Sequence, residues 1–172
     1  MKRPNCLAPV VVLLMSFAVG SPLLTAQTKS ASDDEAAIKA LYDKWNDAFQ
    51  KKDLNAIMAL YSPDVFAFDV GTPREYPTWD AYKKDFEGYI KTFPGPLTST
   101  ISELHITVVG SVAYARDIDD ATFTAADGAK TRLVVRTTDV LRKSKGKWLI
   151  VLEHVSVPVD FATGKPDLLS VP

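Results

Sequence analysis

Apolar side chains recur at three- and four-residue spacing through Ile38, Leu41, Tyr42, Trp45 and Phe49, which lays them along one face of a helix. Ser32-Asp33-Asp34-Glu35 reads as a capping box, with acids at the positive end of that helix. Asp53 is placed to cap a second, short helix carrying Ile57, Leu60 and Tyr61, which Pro63 ends. Val65 to Val70 is a strand candidate. Thr78 opens a third helix with the stripe Trp79, Tyr82, Phe86, Tyr89 and Phe93, stopped by Pro94-Gly95-Pro96. Beyond that point the period falls to two. Leu97 to Val108, Val112 to Thr124, Thr131 to Lys143 and Lys147 to Val157 read as strands, with turns at Gly110, Asp127-Gly128 and Lys145-Gly146.

Helices segregated from a run of strands predict an α+β fold: a cone-shaped roll, with three N-terminal helices packed on a strongly curved antiparallel sheet. Such a sheet encloses a pocket wherever side chains fail to fill the space. Alternation assigns the walls. In the third long strand Leu133, Val135, Thr137, Asp139 and Leu141 share the core face, so Asp139 is a carboxylate on an otherwise apolar surface. In the second, Val112, Tyr114, Arg116 and Ile118 share the face assigned to the interior. The last strand is apolar on both sides: Leu149, Val151 and Val155 on one, Trp148, Ile150 and Leu152 on the other. That predicts a homodimer formed through the outer face of the sheet. Strict alternation turns Glu153 inward and His154 outward with Trp148 and Ser156. A bulge exchanges Glu153 and His154.

With 172 residues the chain has room for one domain. Lys2 and Arg3, the uncharged 13-residue run Leu7 to Val19 and the small residues up to Leu24-Thr25-Ala26 describe a secretory signal peptide. The run is short for a spanning helix, and Pro9 interrupts it. The predicted organisation is a signal peptide over 1–26, a linker over 27–31, the domain over 32–160 and a tail over 161–172. Cleavage after Ala26 moves the formal net charge from −1 to −3 and removes Cys6, the only cysteine. The exported chain then has no disulfide and no thiol chemistry. Bases interleaved with acids give no concentrated positive face, which argues against a nucleic-acid partner.

The histidines are only His105 and His154, without a spaced ligand cluster, so no metal is expected. No phosphate loop, nucleophile elbow or dinucleotide fingerprint is present, and no cofactor is implied.

Two stretches, Lys52 to Asp64 with its following strand ending in Asp69, and Gly146-Lys147-Trp148 through His154-Val155-Ser156, resemble the nuclear transport factor 2-like superfamily. The resemblance covers about Asp33 to Val159. That superfamily includes ketosteroid isomerases, SnoaL-like polyketide cyclases, scytalone dehydratase and the association domain of calcium/calmodulin-dependent kinase II. Laid against the isomerases, Asp69 matches the general base and Asp139 the oxyanion-hole aspartate. Their tyrosine falls near Trp45, whose indole is a poorer donor. Laid against the kinase domain, Arg116 matches an inward arginine, Asp139 replaces another and Val155 a third. The resemblance implies a pocket for a small, largely apolar molecule, walled by Trp45, Tyr82, Tyr114, Arg116, Thr137, Glu153, Val155 and His154. Three functions stand open: binding without turnover, an isomerase, cyclase or dehydratase with Asp69 as base, and a dimeric association module. An Arg116 guanidinium close to Asp139 would hold that acid ionised and favour the first.

Overall fold

The structure, a computed structural model, describes residues 23–171. Residues 1–22 of the expected signal peptide lie outside the described residues. Helix α1 (Leu23–Lys51) buries Ile38, Leu41, Tyr42 and Phe49, with Trp45 half-buried beside them. It continues unbroken through 27–31 and Ser32, so the expected linker is helical and the capping box is not a helix start. Asp34 instead accepts hydrogen bonds from Trp148 Nε1 at 3.0 Å and Lys143 Nζ at 2.5 Å. The Lys143 bond, then that from Trp148, holds the Asp34 carboxyl below its usual range. This tie brings α1 onto the sheet and buries Trp148, which strict alternation turns outward.

Asp53 caps α2 (Leu54–Met58) by accepting from the Ala56 amide at 3.0 Å. The helix ends sooner than predicted. Tyr61 and Pro63 belong to strand β1 (Tyr61–Phe68). β1 lies at the sheet edge, where a missing proline N–H is tolerated. Thr78 caps α3 (Trp79–Thr92) as expected, accepting from the Ala81 amide at 3.2 Å.

Strands β2 (Leu97–Val109), β3 (Val112–Thr124), β4 (Lys130–Ser144) and β5 (Lys147–Ser156) form the antiparallel meander. The sheet order is β1-β5-β4-β3-β2. β1 pairs with β5 in parallel, which the pattern did not anticipate. α1 packs across β2 and reaches β5, while α3 packs on β1. Register slips at Ser102/His105 and at Val140/Leu141 bend the sheet around them. The second slip skips Val151, so Trp148, Ile150 and Glu153 all face inward.

The last residues are held, not loose. The Val134 amide donates to Leu168 O at 2.7 Å, where β4 extends past β5. No helix among the described residues is long and apolar enough to cross a membrane.

Gly95 and Gly88 give opposite expectations. A Cβ on Gly95 would lie 2.9 Å from three Thr124 atoms, one of them backbone, whereas one on Gly88 of α3 meets nothing within 4 Å. Gly95→Ala should lower stability by about 1–3 kcal/mol. Gly88→Ala should raise it by about 0.5–1 kcal/mol. Urea titration of both variants checks this.

Candidate functional site

The helices and the bent sheet leave a cavity of about 80 Å³ between them. A single water needs about 10–15 Å³ of such space, so several waters or a small organic ring fit. The position of the walls follows from β3. Its inward face carries Ala113, Ala115, Asp117, Asp119, Ala121 and Phe123, all buried. Ala121, the alanine of this face that lines the cavity, leaves room that a larger side chain would fill. β4 answers with Leu133, Val135, Thr137 and Asp139, paired in register with Ala121, Asp119, Asp117 and Ala115. β5 adds Ile150, Glu153 and Val155, and Asp69 and Val70 follow β1. Trp45, Phe49, Phe86, Tyr89 and Phe123 supply aromatic walls.

Five carboxylates therefore line one hollow: Asp69, Asp117, Asp119, Asp139 and Glu153. Asp139 and Glu153 are cross-strand partners, 1% and 4% exposed. Two like charges at that spacing in a dry site cannot both ionise. Their hydrogen bonds decide which keeps the proton. Glu153 accepts from two phenols, Tyr61 at 2.5 Å and Tyr82 at 2.7 Å. Asp139 accepts from one, Tyr42 Oη on Oδ2 at 2.5 Å, and its Oδ1 has no partner. The charge is thus better placed on Glu153 and the proton on Asp139. Burial, then the Glu153 charge, pushes Asp139 well above the usual carboxylate range. Burial pushes Glu153 up to about 7, against the opposing phenol bonds.

Trp45 Nε1 donates to Tyr61 Oη at 2.8 Å and so steadies the phenol that serves Glu153. Asp69 Oδ1 accepts from the Val70 amide at 2.6 Å. Its Oδ2 lies 3.3 Å from Tyr82 Oη, whose single hydrogen goes to the shorter Glu153 contact. Asp69 therefore receives little from Tyr82, and its Oδ2 keeps the capacity to accept a proton from the cavity side. Burial raises its pKa, against the Val70 bond. Asp119 accepts from Ser99 Oγ at 2.7 Å and is pushed up to about 6, chiefly by burial. Asp117 Oδ2 has no partner. Burial, then Asp119 and Glu153, pushes the Asp117 carboxyl up to about 8.

Of the residues singled out in the sequence, Trp45, Asp69, Tyr82, Thr137, Asp139, Glu153 and Val155 line the cavity. Tyr114, Arg116 and His154 do not. All three are exposed on the outer face, Arg116 opposite Thr138 and His105 in the sheet. The pairing of Arg116 with Asp139 is therefore absent. The pattern misleads on the phase of β3 because Val112, Tyr114 and Ile118 outweigh three alanines on any hydrophobic scale. Tyr42, Tyr61, Asp117 and Asp119 escaped notice as site residues. The signal for the last two was the alternation Ala-x-Ala-x-Asp-x-Asp-x-Ala-x-Phe from Ala113 to Phe123. Tyr42 stood one turn before Trp45 in the same stripe.

A cavity enclosed by N-terminal helices and a bent meander is the architecture of the nuclear transport factor 2-like superfamily. Within it, the chain belongs to the SnoaL-like domain family, whose model matches residues 38–160. It is similar to a nuclear transport factor 2-like protein of unknown function from Pseudomonas putida, with 25% identity and a TM-score of 0.75, over 83% of this chain and 99% of that one. A Novosphingobium aromaticivorans protein provisionally named scytalone dehydratase shares the fold at 19% identity and a TM-score of 0.69, over 86% of this chain and 93% of that one. So does a Streptomyces avermitilis protein provisionally named as a dehydratase, at 14% identity and a TM-score of 0.67, over 73% and 97%. Comparison with curated proteins gives no match.

Asp117, Asp119 and Glu153 have folded pKa values raised to about 8, 6 and 7. The folded chain keeps protons that the unfolded chain releases. The stability these groups contribute is complete below their unfolded pKa and is lost as pH rises through the folded values. Melting temperature should therefore fall between about pH 5 and pH 8. Asp117→Asn should recover about 1–3 kcal/mol at pH 8 and much less at pH 5. Calorimetric melts of both proteins across that range check it.

Proposed function

We propose that this cavity binds a small, largely apolar carbonyl compound and moves a proton next to its carbonyl, as an isomerase, cyclase or dehydratase does. The observation that carries this is Asp139: buried, bonded to Tyr42 through one oxygen, with the other free in the cavity wall. A protonated Asp139 donates from Oδ1 to a carbonyl oxygen as negative charge develops there, and Tyr42 stabilises the acid through Oδ2. Ketosteroid isomerase is the established case of such a neutral acid, and the logic is carried over from that enzyme. Asp69, at the end of β1 and on the same cavity, takes the role of base. Tyr42 acts through Asp139, since its hydroxyl donates to Asp139 Oδ2.

Binding without turnover is the rival, and one variant separates them. Asp69→Asn should lower conversion of a β,γ-unsaturated cyclic ketone to its conjugated isomer by about 10²–10⁴-fold. Its affinity for the conjugated product, read by Trp45 fluorescence, should change little. Activity that survives in Asp69→Asn removes the base assignment. No conversion by the native chain, with binding intact, leaves the rival.

Two further parts of this reading concern the whole molecule. The n-region and apolar run of residues 1–26 support export, and mass spectrometry of the secreted chain should find Gln27 first. Phe68, Val112 and Tyr114, exposed on the outer face, support pairing with a second copy. Light scattering should give twice the chain mass at micromolar concentration. A monomer would remove both the dimer and the association-module reading.

A further inference from the structure

We propose that the carbonyl compound taken by this cavity also carries a protonated amine on its apolar body, with the ammonium seated at Asp117 beside Asp119; this rests on the cavity being the small-molecule site argued above.

Every charged side chain lining the cavity is acidic. Arg116, Arg132 and Arg136 on β3 and β4 lie exposed on the outside of the sheet, and Lys143 is committed to Asp34. The donors nearest the acids are already committed, Tyr42 to Asp139, and Tyr61 and Tyr82 to Glu153. Apart from the proton held by Asp139, the side of the cavity around Asp117 and Asp119 offers a ligand carboxyl oxygens and no committed donor.

Asp117 is the sharpest case. It is 5% exposed, lines the cavity, and its Oδ2 has no hydrogen-bond partner. Among the described residues no bond to either Asp117 oxygen is seen, whereas Asp85, which also has one unpartnered oxygen, accepts from Tyr76 through the other, and further acids are engaged. Asp34 has Lys143 and Trp148, Asp53 caps α2, and Asp120 has a two-bond clasp from Arg132. A buried polar atom left without a partner is costly, and a ligand N–H removes that cost.

The remaining wall suits the same ligand. Trp45, Phe86 and Phe123 line the hollow with aromatic rings, which favour a cation with an apolar body over an inorganic ion. Among the described residues no group of three His, Cys, Asp or Glu side chains is arranged to hold a metal ion.

The groups facing Asp117 are Asp119 on its own strand, Asp139 and Thr137 on β4, Glu153 on β5, Asp69 after β1, Tyr42 on α1 and Tyr82 on α3. None is basic, so nothing in the wall competes with the ammonium. A bound cation displaces the proton that burial keeps on Asp117. Binding therefore releases a proton, and it tightens as pH rises while the amine stays charged.

Calorimetric titration of the purified full chain with three ring compounds of similar size tests this: cyclohexylammonium, cyclohexanol and cyclohexanecarboxylate. At pH 8 the ammonium should bind at least about tenfold more tightly than the alcohol, and the carboxylate least. Affinity for the ammonium should rise from about pH 6 to pH 8, with proton release measured from the buffer dependence of the heat. Asp117→Asn should reduce the ammonium preference to within about threefold of the alcohol while leaving the alcohol unchanged. Asp119→Asn, checked like Asp117→Asn for native circular dichroism, should weaken it less. An alcohol that binds as tightly as the ammonium overturns the charge inference and leaves the small-molecule site standing. A preference that survives in both variants also overturns it, since the ammonium then sits elsewhere. Failure of all three compounds to bind overturns the inference together with the site beneath it.

Discussion

Five carboxylates share one buried hollow with no Lys, Arg or His side chain in its wall, and the arrangement of the surrounding elements answers that constraint. A buried acid must either keep its proton or receive strong donors. For Asp139 and Glu153 the donors are phenols, and each comes from a different element: Tyr42 from α1, Tyr61 from β1 and Tyr82 from α3. All converge on the cross-strand pair Asp139 and Glu153. The two longer helices and the edge strand are thereby pinned to the sheet at its most polar point. The apolar packing of Ile38, Leu41, Ile57, Met58 and Val65 surrounds that point and keeps water from replacing the phenols.

The sheet reaches this geometry through irregularity. The skipped Val151 lets Ile150 close the core while Glu153, three positions on, still faces the cavity. In a regular strand one of the two would point out. Trp148 then lies inside as well, where it meets Asp34 and fixes α1 in place. The site and the helix anchor thus depend on one bulge in one strand.

That bulge marks the boundary of what the sequence revealed. Element type and order were readable from α1 to β5, since stripes, caps and turn residues agreed with one another. The limits of the meander strands fell within a residue or so of those observed. Half of the cavity was readable too, because an isolated Asp139 on an apolar strand face has few explanations. What could not be read was the phase of β3 and the partner of Asp139. Alternation carries no label for inside or outside when small residues line a cavity and large ones face solvent. Arg116 was drawn inward by that ambiguity, and its supposed ion pair hid the three phenol contacts that do the holding. Those contacts join residues about 70 to 100 positions apart, far beyond any local pattern. The parallel pairing of β1 with β5 was invisible for the same reason.

The inward face of β3 separates two properties that many sites bind together. Ala121 is the small residue of β3 that lines the hollow and leaves it space, while the acids on the neighbouring inward positions set what it does. A larger apolar side chain at Ala121 would take up room in the hollow while leaving every carboxylate of its wall in the sequence. A scaffold of this kind can change the size of its guest by small steps on one strand and keep its chemistry intact, a route by which one fold comes to serve many molecules.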